Sequence, residues 1–410
     1  MILLGVILAI GIFLRIPAEA FKAGAPLHSV AALHPQPAFR QLGFDEGLYR
    51  KYVEALSQGG ITSYPDIVDG YIEVQKTLPG SILPPLRFLY IFAAYVWHLL
   101  FGCDALAALH QVAAFFSVLT LGLATIFAWR LRGAMWGIGV AALTAVAPTQ
   151  LHMSQHALVD GFFTFWALLV LWLFWENLQA PRDWRWLVAY VSAFALLVLT
   201  KENSGFVWVA ILVLLVANTW LGFGTIMREL VIATILGPLL GVVVLVFLAG
   251  GVDTLFHTYQ LSVGKNFQLR YAVLTGDGPW HRYLVDLLLV SPIILLLALG
   301  SVACLERTKR PELFMSVFIA ASYLVMCNLK YGMNLRYANM WDMPLRFLAF
   351  SFLVSLITRV RRYHNILLGV AVAAICAVEL RQYIILAVQF PLYELVSEGL
   401  LRALRILKAQ

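Results

Sequence analysis

An adjacent pair of acidic residues, Asp45 and Glu46, has the clearest chemical use in this sequence. Residues 43–49 read GFDEGLY, and residues 46–58 have the spacing of a helix with one apolar side. Neighbouring side chains on a helix point about 100° apart, so one carboxylate can act as a general base while the other binds a metal ion or orients a substrate. Carboxylates are also favoured at a helix N-terminus, so the pair can equally be a cap.

Three further polar pairs lie at the ends of apolar runs: His156 with Asp160, Lys201 with Glu202, and Arg336 with Tyr337. An aspartate at the start of an apolar run either caps a helix or contributes to a site. A lysine or arginine at a membrane boundary either extends toward lipid headgroups or binds an anion such as a phosphate. The sequence leaves both interpretations open for these residues.

Two histidines, His257 and His281, lie in a second polar segment, residues 251–282. They lack the spacing of a metal site, and the sequence GDGP at residues 276–279 indicates a turn first. They are candidate substrate or metal contacts, as are Glu202 and His156. The four cysteines have no paired spacing, so they indicate neither a zinc site nor a disulfide framework.

The elements that must position these residues are apolar runs of the length of membrane helices. Hydrophobic residues make up 61% of the chain and charged residues 12%, and the mean hydropathy is +0.84. Soluble domains are about 45–50% apolar and about 25% charged. We therefore predict an all-α polytopic membrane protein with about eleven transmembrane helices. The predicted spans are residues 1–20, 105–130, 134–150, 160–178, 185–200, 204–222, 229–250, 283–303, 312–329, 341–358 and 364–386.

Charges in the loops predict the orientation of the chain. The net charge is +7, and basic residues cluster between the apolar runs: Arg130 and Arg132; Arg182 and Arg185; Arg228; Arg307, Lys309 and Arg310; Arg359, Arg361 and Arg362. All five clusters share one side only if the apolar stretch 83–101 does not cross, and such clusters are typically cytoplasmic. We therefore expect 83–101 to be an amphipathic helix at the interface, with residues 21–104 and 251–282 outside. No basic patch suited to nucleic acid remains.

This orientation brings the candidate residues to the outer face of the membrane. A carboxylate there can remove a proton from a hydroxyl acceptor, and cations can stabilise a departing phosphate. The combination favours a transfer reaction whose anionic donor is carried by a membrane lipid.

The order of motifs resembles the GT-C superfamily of polyprenyl-phosphate-sugar glycosyltransferases, in particular the branch of protein O-mannosyltransferases and aminoarabinose transferases of lipid A. The resemblance covers residues 1–205 well and the rest loosely. The matching motifs are Asp45-Glu46, Pro84-Pro85-Leu86, Trp129-Arg130-Leu131-Arg132-Gly133, Pro148 with Asp160, Thr200-Lys201-Glu202, and Arg336-Tyr337.

The resemblance implies inverting transfer of a sugar from a polyprenyl-phosphate carrier to a lipid, glycan or protein hydroxyl, outside a bacterial inner or plasma membrane. It implies Asp45 as general base, with Glu46 and Asp160 assisting. Lys201 and Arg336, with Tyr337, would bind the donor phosphate. The resemblance allows a divalent metal ion without requiring one.

Three units are expected on this basis. Residues 1–225 form a GT-C-like catalytic transmembrane module that includes the outer loop 21–104. Residues 226–390 form a variable transmembrane module with the outer loop 251–282, and residues 391–410 form an amphipathic C-terminal helix. No soluble domain is apparent after the last apolar run, although many members of the superfamily have one.

Two other classes of function compete with transfer. A transporter or flippase of a lipid-linked sugar would bind near the midplane, with broken helices, intramembrane charge and repeats, which are not prominent in this sequence. An accessory subunit of a membrane complex would need no polar residues gathered at one face.

The orientation predicts which engineered cysteines an impermeant reagent can reach. In a variant whose native cysteines are replaced by serine, a membrane-impermeant maleimide added to intact cells is expected to label Ser57→Cys but not Thr308→Cys. The reverse pattern would contradict the orientation and place the candidate residues at the cytoplasmic face.

Overall fold

The computed structural model describes residues 2–21, 23–25, 27–35, 43–266, 277–329, 333–358 and 363–407. Regular structure in these residues is helical, without β-strands. The helices are α1 Ile2–Arg15, α2 Phe44–Gly59, α3 Tyr64–Thr77, α4 Phe88–Phe101, α5 Ala105–Arg132, α6 Ala134–Ala145, α7 Pro148–Ser154, α8 Val159–Gln179, α9 Trp184–Val198, α10 Ser204–Leu221, α11 Arg228–Leu248, α12 Val252–Asn266, α13 Arg282–Val290, α14 Pro292–Ala303, α15 Arg310–Met326, α16 Asp342–Ile357, α17 His364–Tyr383 and α18 Ser397–Ala403. The predicted basic cluster of Arg359, Arg361 and Arg362, and residues 267–276 of the predicted second outer loop, lie outside the described residues.

The chain is an integral multi-pass membrane protein. Among the described residues, six helical runs are long and apolar enough to cross a membrane: α5, α8, α10, α11, Leu335–Ile357 and His364–Gln389. The number is seven if α6 and α7, which meet at 59°, form one bent span. The other predicted spans are helical but shorter, and the span predicted at 283–303 is divided into α13 and α14. The all-α membrane fold is confirmed, but the count of eleven spans is not.

The segment predicted to be the first outer loop, residues 21–104, contains the expected helices α2 and α4. Helix α2 buries Tyr49, Tyr52, Val53 and Leu56 on one side, and this side packs against α4 and α5. Helix α4 has 14 residues, about 21 Å of helix, which is shorter than the hydrocarbon layer. Its position at the membrane interface stays a prediction.

The break between α6 and α7 is stabilised by Arg15 at the end of α1. The last carbonyls of a helix lack partners within it, and Pro148 at the start of α7 supplies no N–H. The Arg15 guanidinium donates to the carbonyl oxygens of Thr144 and Ala145, each at 2.9 Å, and to the Ser117 hydroxyl at 2.9 Å. A buried cation thus adds hydrogen-bond donors to those that the backbone supplies at this bend.

The ion pairs of Arg130 and Arg132 lie far from Asp160 along the helical bundle. Helix α8 has Asp160 in its first turn and Glu176 near its end, about 24 Å away along the axis. Glu176 accepts hydrogen bonds from Arg130 at 2.7 and 2.8 Å, and Glu312 accepts one from Arg132 at 2.6 Å. The first predicted basic cluster therefore lies at the end of the bundle opposite Asp160.

A fully buried ion pair, Arg346–Glu379, connects two of the predicted spans. Arg346 on α16 donates to Glu379 on α17 at 2.8 Å, and Ser291, between α13 and α14, donates to the same carboxylate at 2.9 Å. Both charged side chains are completely buried. The sequence identifies few charges inside the spans and does not reveal this pairing.

In Glu379→Ala the buried Arg346 keeps its hydrogen bond to Asp342 at 3.0 Å but loses the one to Glu379. We expect the free energy of unfolding to fall by about 1.5–3 kcal/mol, the range for a hydrogen bond to a charged group. The measurement is denaturant unfolding of the protein purified in detergent, with Glu306→Ala, at an exposed position, as the control. Equal stability of the two variants would show that the Arg346–Glu379 pair does not stabilise the fold.

Candidate functional site

Arg336 lies at the centre of a cluster of charged residues from distant parts of the chain. It belongs to the 3-10 turn Leu335–Trp341 before α16, and its backbone N–H donates to the Asn334 side chain at 3.1 Å. Its guanidinium nitrogens lie near three carboxylates. Nη2 is 3.1 Å from Asp45 Oδ2, Nη1 is 3.3 Å from Glu394 Oε1, and Nε is 3.7 Å from Asp160 Oδ2.

Asp160 and Lys201 form a buried ion pair behind Arg336. The Lys201 Nζ donates to Asp160 Oδ1 at 2.5 Å, and the side chains are 1% and 3% exposed. The Lys201 ammonium also lies 3.9 Å from the centre of the Tyr337 ring, a cation–π contact. Burial lowers the pKa of Lys201, whereas the Asp160 carboxylate opposes that shift. Lys201 thus positions the Asp160 carboxylate and compensates its charge.

The adjacent acids Asp45 and Glu46 have different environments. The Asp45 side chain is 20% exposed, whereas Glu46 is 1% exposed. Glu46 Oε1 accepts from the Ala157 amide and Oε2 from the Gly43 amide, each at 2.8 Å. Glu46 therefore joins the start of α2 to the segment before α8, while Asp45 remains open at the surface of the site.

Glu202 lies at the edge of the site and pairs with Arg87. Arg87 donates to the two Glu202 carboxylate oxygens at 2.6 and 3.3 Å and to the Tyr49 hydroxyl at 2.7 Å. These bonds connect the turn that carries Lys201 to α2 and to the segment after Pro84-Pro85-Leu86. Sequence reasoning missed Arg87, although it directly follows that motif.

Of the three candidate histidines, only His156 lies in the cluster. Its Nδ1 is 3.4 Å from Glu46 Oε1. His257 lies on α12, which packs against α3, and His281 precedes α13 with its ring against Trp280. Among the described residues, neither of these two makes a hydrogen bond or ion pair with the cluster around Arg336.

Tyr393 and Glu394 belong to the cluster but were not predicted. The sequence predicts an amphipathic helix over 391–410, but the structure limits the helix to Ser397–Ala403. Pro391 lacks an N–H and cannot continue a helix, so the segment 390–396, which we call the C-terminal strap, is irregular. Spacing along the chain cannot reveal its pairing with Arg336, because Glu394 follows 58 positions later.

Comparison with solved structures identifies similar folds. ArnT from Cupriavidus metallidurans bound to undecaprenyl phosphate matches with a TM-score of 0.54 and 18% identity, over 92% of this chain and 63% of that one. The oligosaccharyltransferase of Archaeoglobus fulgidus in the apo form matches with a TM-score of 0.63 and 13% identity, over 93% of this chain and 55% of that one. A complex of the same enzyme with Zn and sulfate matches with a TM-score of 0.57 and 13% identity, over 93% and 53% of the two chains.

Both of these enzymes belong to the GT-C superfamily, so the fold predicted from the order of motifs is confirmed. Identities this low establish the fold alone. The chain spans between 53% and 63% of the length of these structures. No protein-family model and no curated protein sequence matches it.

A divalent metal ion is the cofactor that the resemblance allows. In the described part of the chain, no group of three or more His, Cys, Asp or Glu side chains could bind one. The positive charge between Asp45 and Asp160 is the guanidinium of Arg336. The described residues of this cluster therefore provide no ready set of ligands for a metal ion.

The contacts of Glu46 predict a loss of stability when it becomes an amide. In Glu46→Gln the NH₂ group cannot accept a hydrogen bond, so the amide of Gly43 or of Ala157 loses its partner. We expect the free energy of unfolding to fall by about 1–3 kcal/mol. Glu54→Gln, at an exposed position of the same helix, is the control for denaturant unfolding in detergent. If the two variants are equally stable, Glu46 does not join these segments.

Proposed function

We propose that this chain is an inverting glycosyltransferase that moves a sugar from a polyprenyl-phosphate carrier to a hydroxyl acceptor at the extracytoplasmic face of the membrane. One observation carries the proposal: an accessible carboxylate, Asp45, lies 3.1 Å from the arginine Arg336, at one end of a helical bundle with the GT-C fold. Such a pair can accept a proton and bind a phosphate at the same place.

Asp45 is the proposed general base. A base must reach the acceptor hydroxyl, and Asp45 is more exposed than Glu46 or Asp160. The two oxygens of Glu46 accept from backbone amides, and Asp160 accepts from Lys201. These two acids therefore assist by positioning their neighbours.

Arg336 is the proposed contact to the donor phosphate. The acceptor oxygen forms a bond to the anomeric carbon of the sugar from the face opposite the phosphate, and its proton passes to Asp45. The bond between that carbon and the phosphate oxygen breaks, and its electron pair stays on the phosphate. A cation fixed beside that oxygen stabilises the negative charge as it develops. Lys201 and Tyr337 act indirectly: Lys201 donates a hydrogen bond to Asp160, and its ammonium group contacts the Tyr337 ring.

The comparisons support the class of donor. ArnT has been crystallised with undecaprenyl phosphate. A carrier of this kind places its anionic head at the membrane boundary, where the cluster around Arg336 would lie. The acceptor is a hydroxyl of a lipid, glycan or protein. The extracytoplasmic side is supported by the Arg130 and Arg132 pairs at the opposite end of the bundle.

The test of this proposal is the variant Asp45→Asn, which keeps the shape of the side chain but cannot accept the proton. We expect the rate of sugar transfer to fall by about 10²- to 10⁴-fold, with the affinity for the donor lipid near that of the wild type. The measurement is transfer of radiolabelled sugar from a polyprenyl-phosphate donor by the purified protein.

Asp69→Asn, an exposed acid in the same outer segment, is the matched control and should transfer at the wild-type rate. Transfer by Asp45→Asn at that same rate would remove Asp45 as the base and leave it as a helix cap.

A further inference from the structure

The guanidinium of Arg336 is incompletely hydrogen bonded in a buried place. Its Nη2 donates to Asp45 at 3.1 Å, but Nε and Nη1 are buried and have no hydrogen-bond partner among the residues that the structure describes. Glu394 lies 3.3 Å from Nη1, as an ion contact that lacks hydrogen-bond geometry. Guanidinium groups favour two parallel hydrogen bonds to a carboxylate or phosphate, so this arrangement leaves binding capacity unused.

The balance of charge in the cluster also limits how an additional anion can bind there. Two cations, Lys201 and Arg336, face the carboxylates of Asp45, Asp160 and Glu394. A phosphate added to this set would bring more negative charge to a site where the acids already outnumber the cations. Exchange of one carboxylate for the phosphate would limit that cost.

Glu394 is the carboxylate best placed to leave. Asp45 and Asp160 belong to helices, whereas Glu394 lies in the irregular C-terminal strap, residues 390–396. The strap begins after the π-helical turn Ile384–Gln389, a conformation often found at functional sites. Its contacts include those of Glu394 with Arg336 and Asn334, of the Leu392 carbonyl with His152, and of the Leu395 carbonyl with the amide of Leu335, while the Leu395 side chain is buried in the core.

Tyr393 covers the site from the same strap. Its ring lies 5.6 Å from the Arg336 guanidinium carbon and 5.5 Å from the His156 ring. Its hydroxyl is buried without a hydrogen-bond partner among the described residues. A Cβ atom at Gly43 would come within 2.1 Å of the ring, so the absence of a side chain at Gly43 is what lets the ring lie there.

We infer that Glu394 occupies, in the protein without donor, the place on Arg336 that the phosphate group of the donor takes, and that the strap withdraws when the phosphate binds. This inference rests on the proposed function, because it names the anion that competes with the donor for Arg336. Glu394 is thus an internal competitor that closes the site until a phosphate replaces it.

Hydrogen exchange of the wild-type protein in detergent tests the movement directly. Undecaprenyl phosphate should raise the exchange rate of the amides in residues 390–396 by about tenfold. Undecaprenol, which has the same tail without the anion, should leave that rate unchanged.

The variant Glu394→Gln tests the competition. It keeps the size of the side chain but removes the charge, so the dissociation constant for undecaprenyl phosphate should fall by about tenfold. The matched control is Glu398→Gln, an exposed acid on the next helix, whose affinity should equal that of the wild type. Gly43→Ala reaches the strap from the other side: its Cβ should displace the Tyr393 ring and also tighten binding.

The possible outcomes separate this inference from the proposed function. If undecaprenyl phosphate binds but exchange in the strap does not change, or if Glu394→Gln binds no tighter than the wild type, the exchange of anions is wrong and the transferase proposal stands. If undecaprenyl phosphate does not bind the wild type at all, the proposed function fails, and this inference fails with it.

Discussion

The arrangement of the site depends on one constraint: a guanidinium buried at the end of a membrane bundle must meet negative charge. An unpaired buried cation is very costly, whereas a paired one is tolerated when its partners lie at close range. The partners of Arg336 come from α2, α8 and the C-terminal strap. The position of each of these segments is therefore coupled to the position of the 3-10 turn before α16.

The same helical run carries a second buried arginine under the same constraint. Arg346 follows Arg336 by ten residues and pairs with Glu379, and Arg15 donates to the carbonyls of Thr144 and Ala145 at the bend between α6 and α7. Backbone and side-chain polar groups in such surroundings have little water available, and a charged or hydroxyl group accompanies both the bend between α6 and α7 and the break between α13 and α14. Divided helices in this protein are thus stabilised by side chains from other parts of the chain.

The sequence predicts where along the apolar runs the candidate site lies better than it predicts which residues form the site. Apolar runs have a characteristic length, and polar residues at their ends are easily recognised, so Asp45, Asp160, Lys201 and Arg336 could be identified. The basic clusters between the apolar runs predict that these four residues lie on the same side of the membrane. Arg87, Tyr393 and Glu394 could not be found this way, since their roles arise from contacts with residues far away in sequence.

The helix boundaries show a similar limit. Hydropathy reports the average character of a run and does not register a single polar contact that ends a helix. Ser291 and Pro292 divide one predicted span, and Pro148 bends another, at positions where partners such as Glu379 and Arg15 satisfy the exposed groups. The count of spans therefore depends on tertiary contacts that composition does not contain.

The late position of Glu394 in the chain also has a consequence for biosynthesis. A membrane protein is inserted from its N-terminus, so Asp45, Asp160 and Lys201 enter the bilayer boundary well before Arg336 emerges from the ribosome. During that interval Asp160 has only Lys201 as a close cationic partner. Arg336 then joins the acids, and the strap, which follows it in the chain, covers the site after that. The cluster is therefore completed only when Glu394 has followed the helices that carry the other acids, so its charges are paired in the order in which they are synthesised.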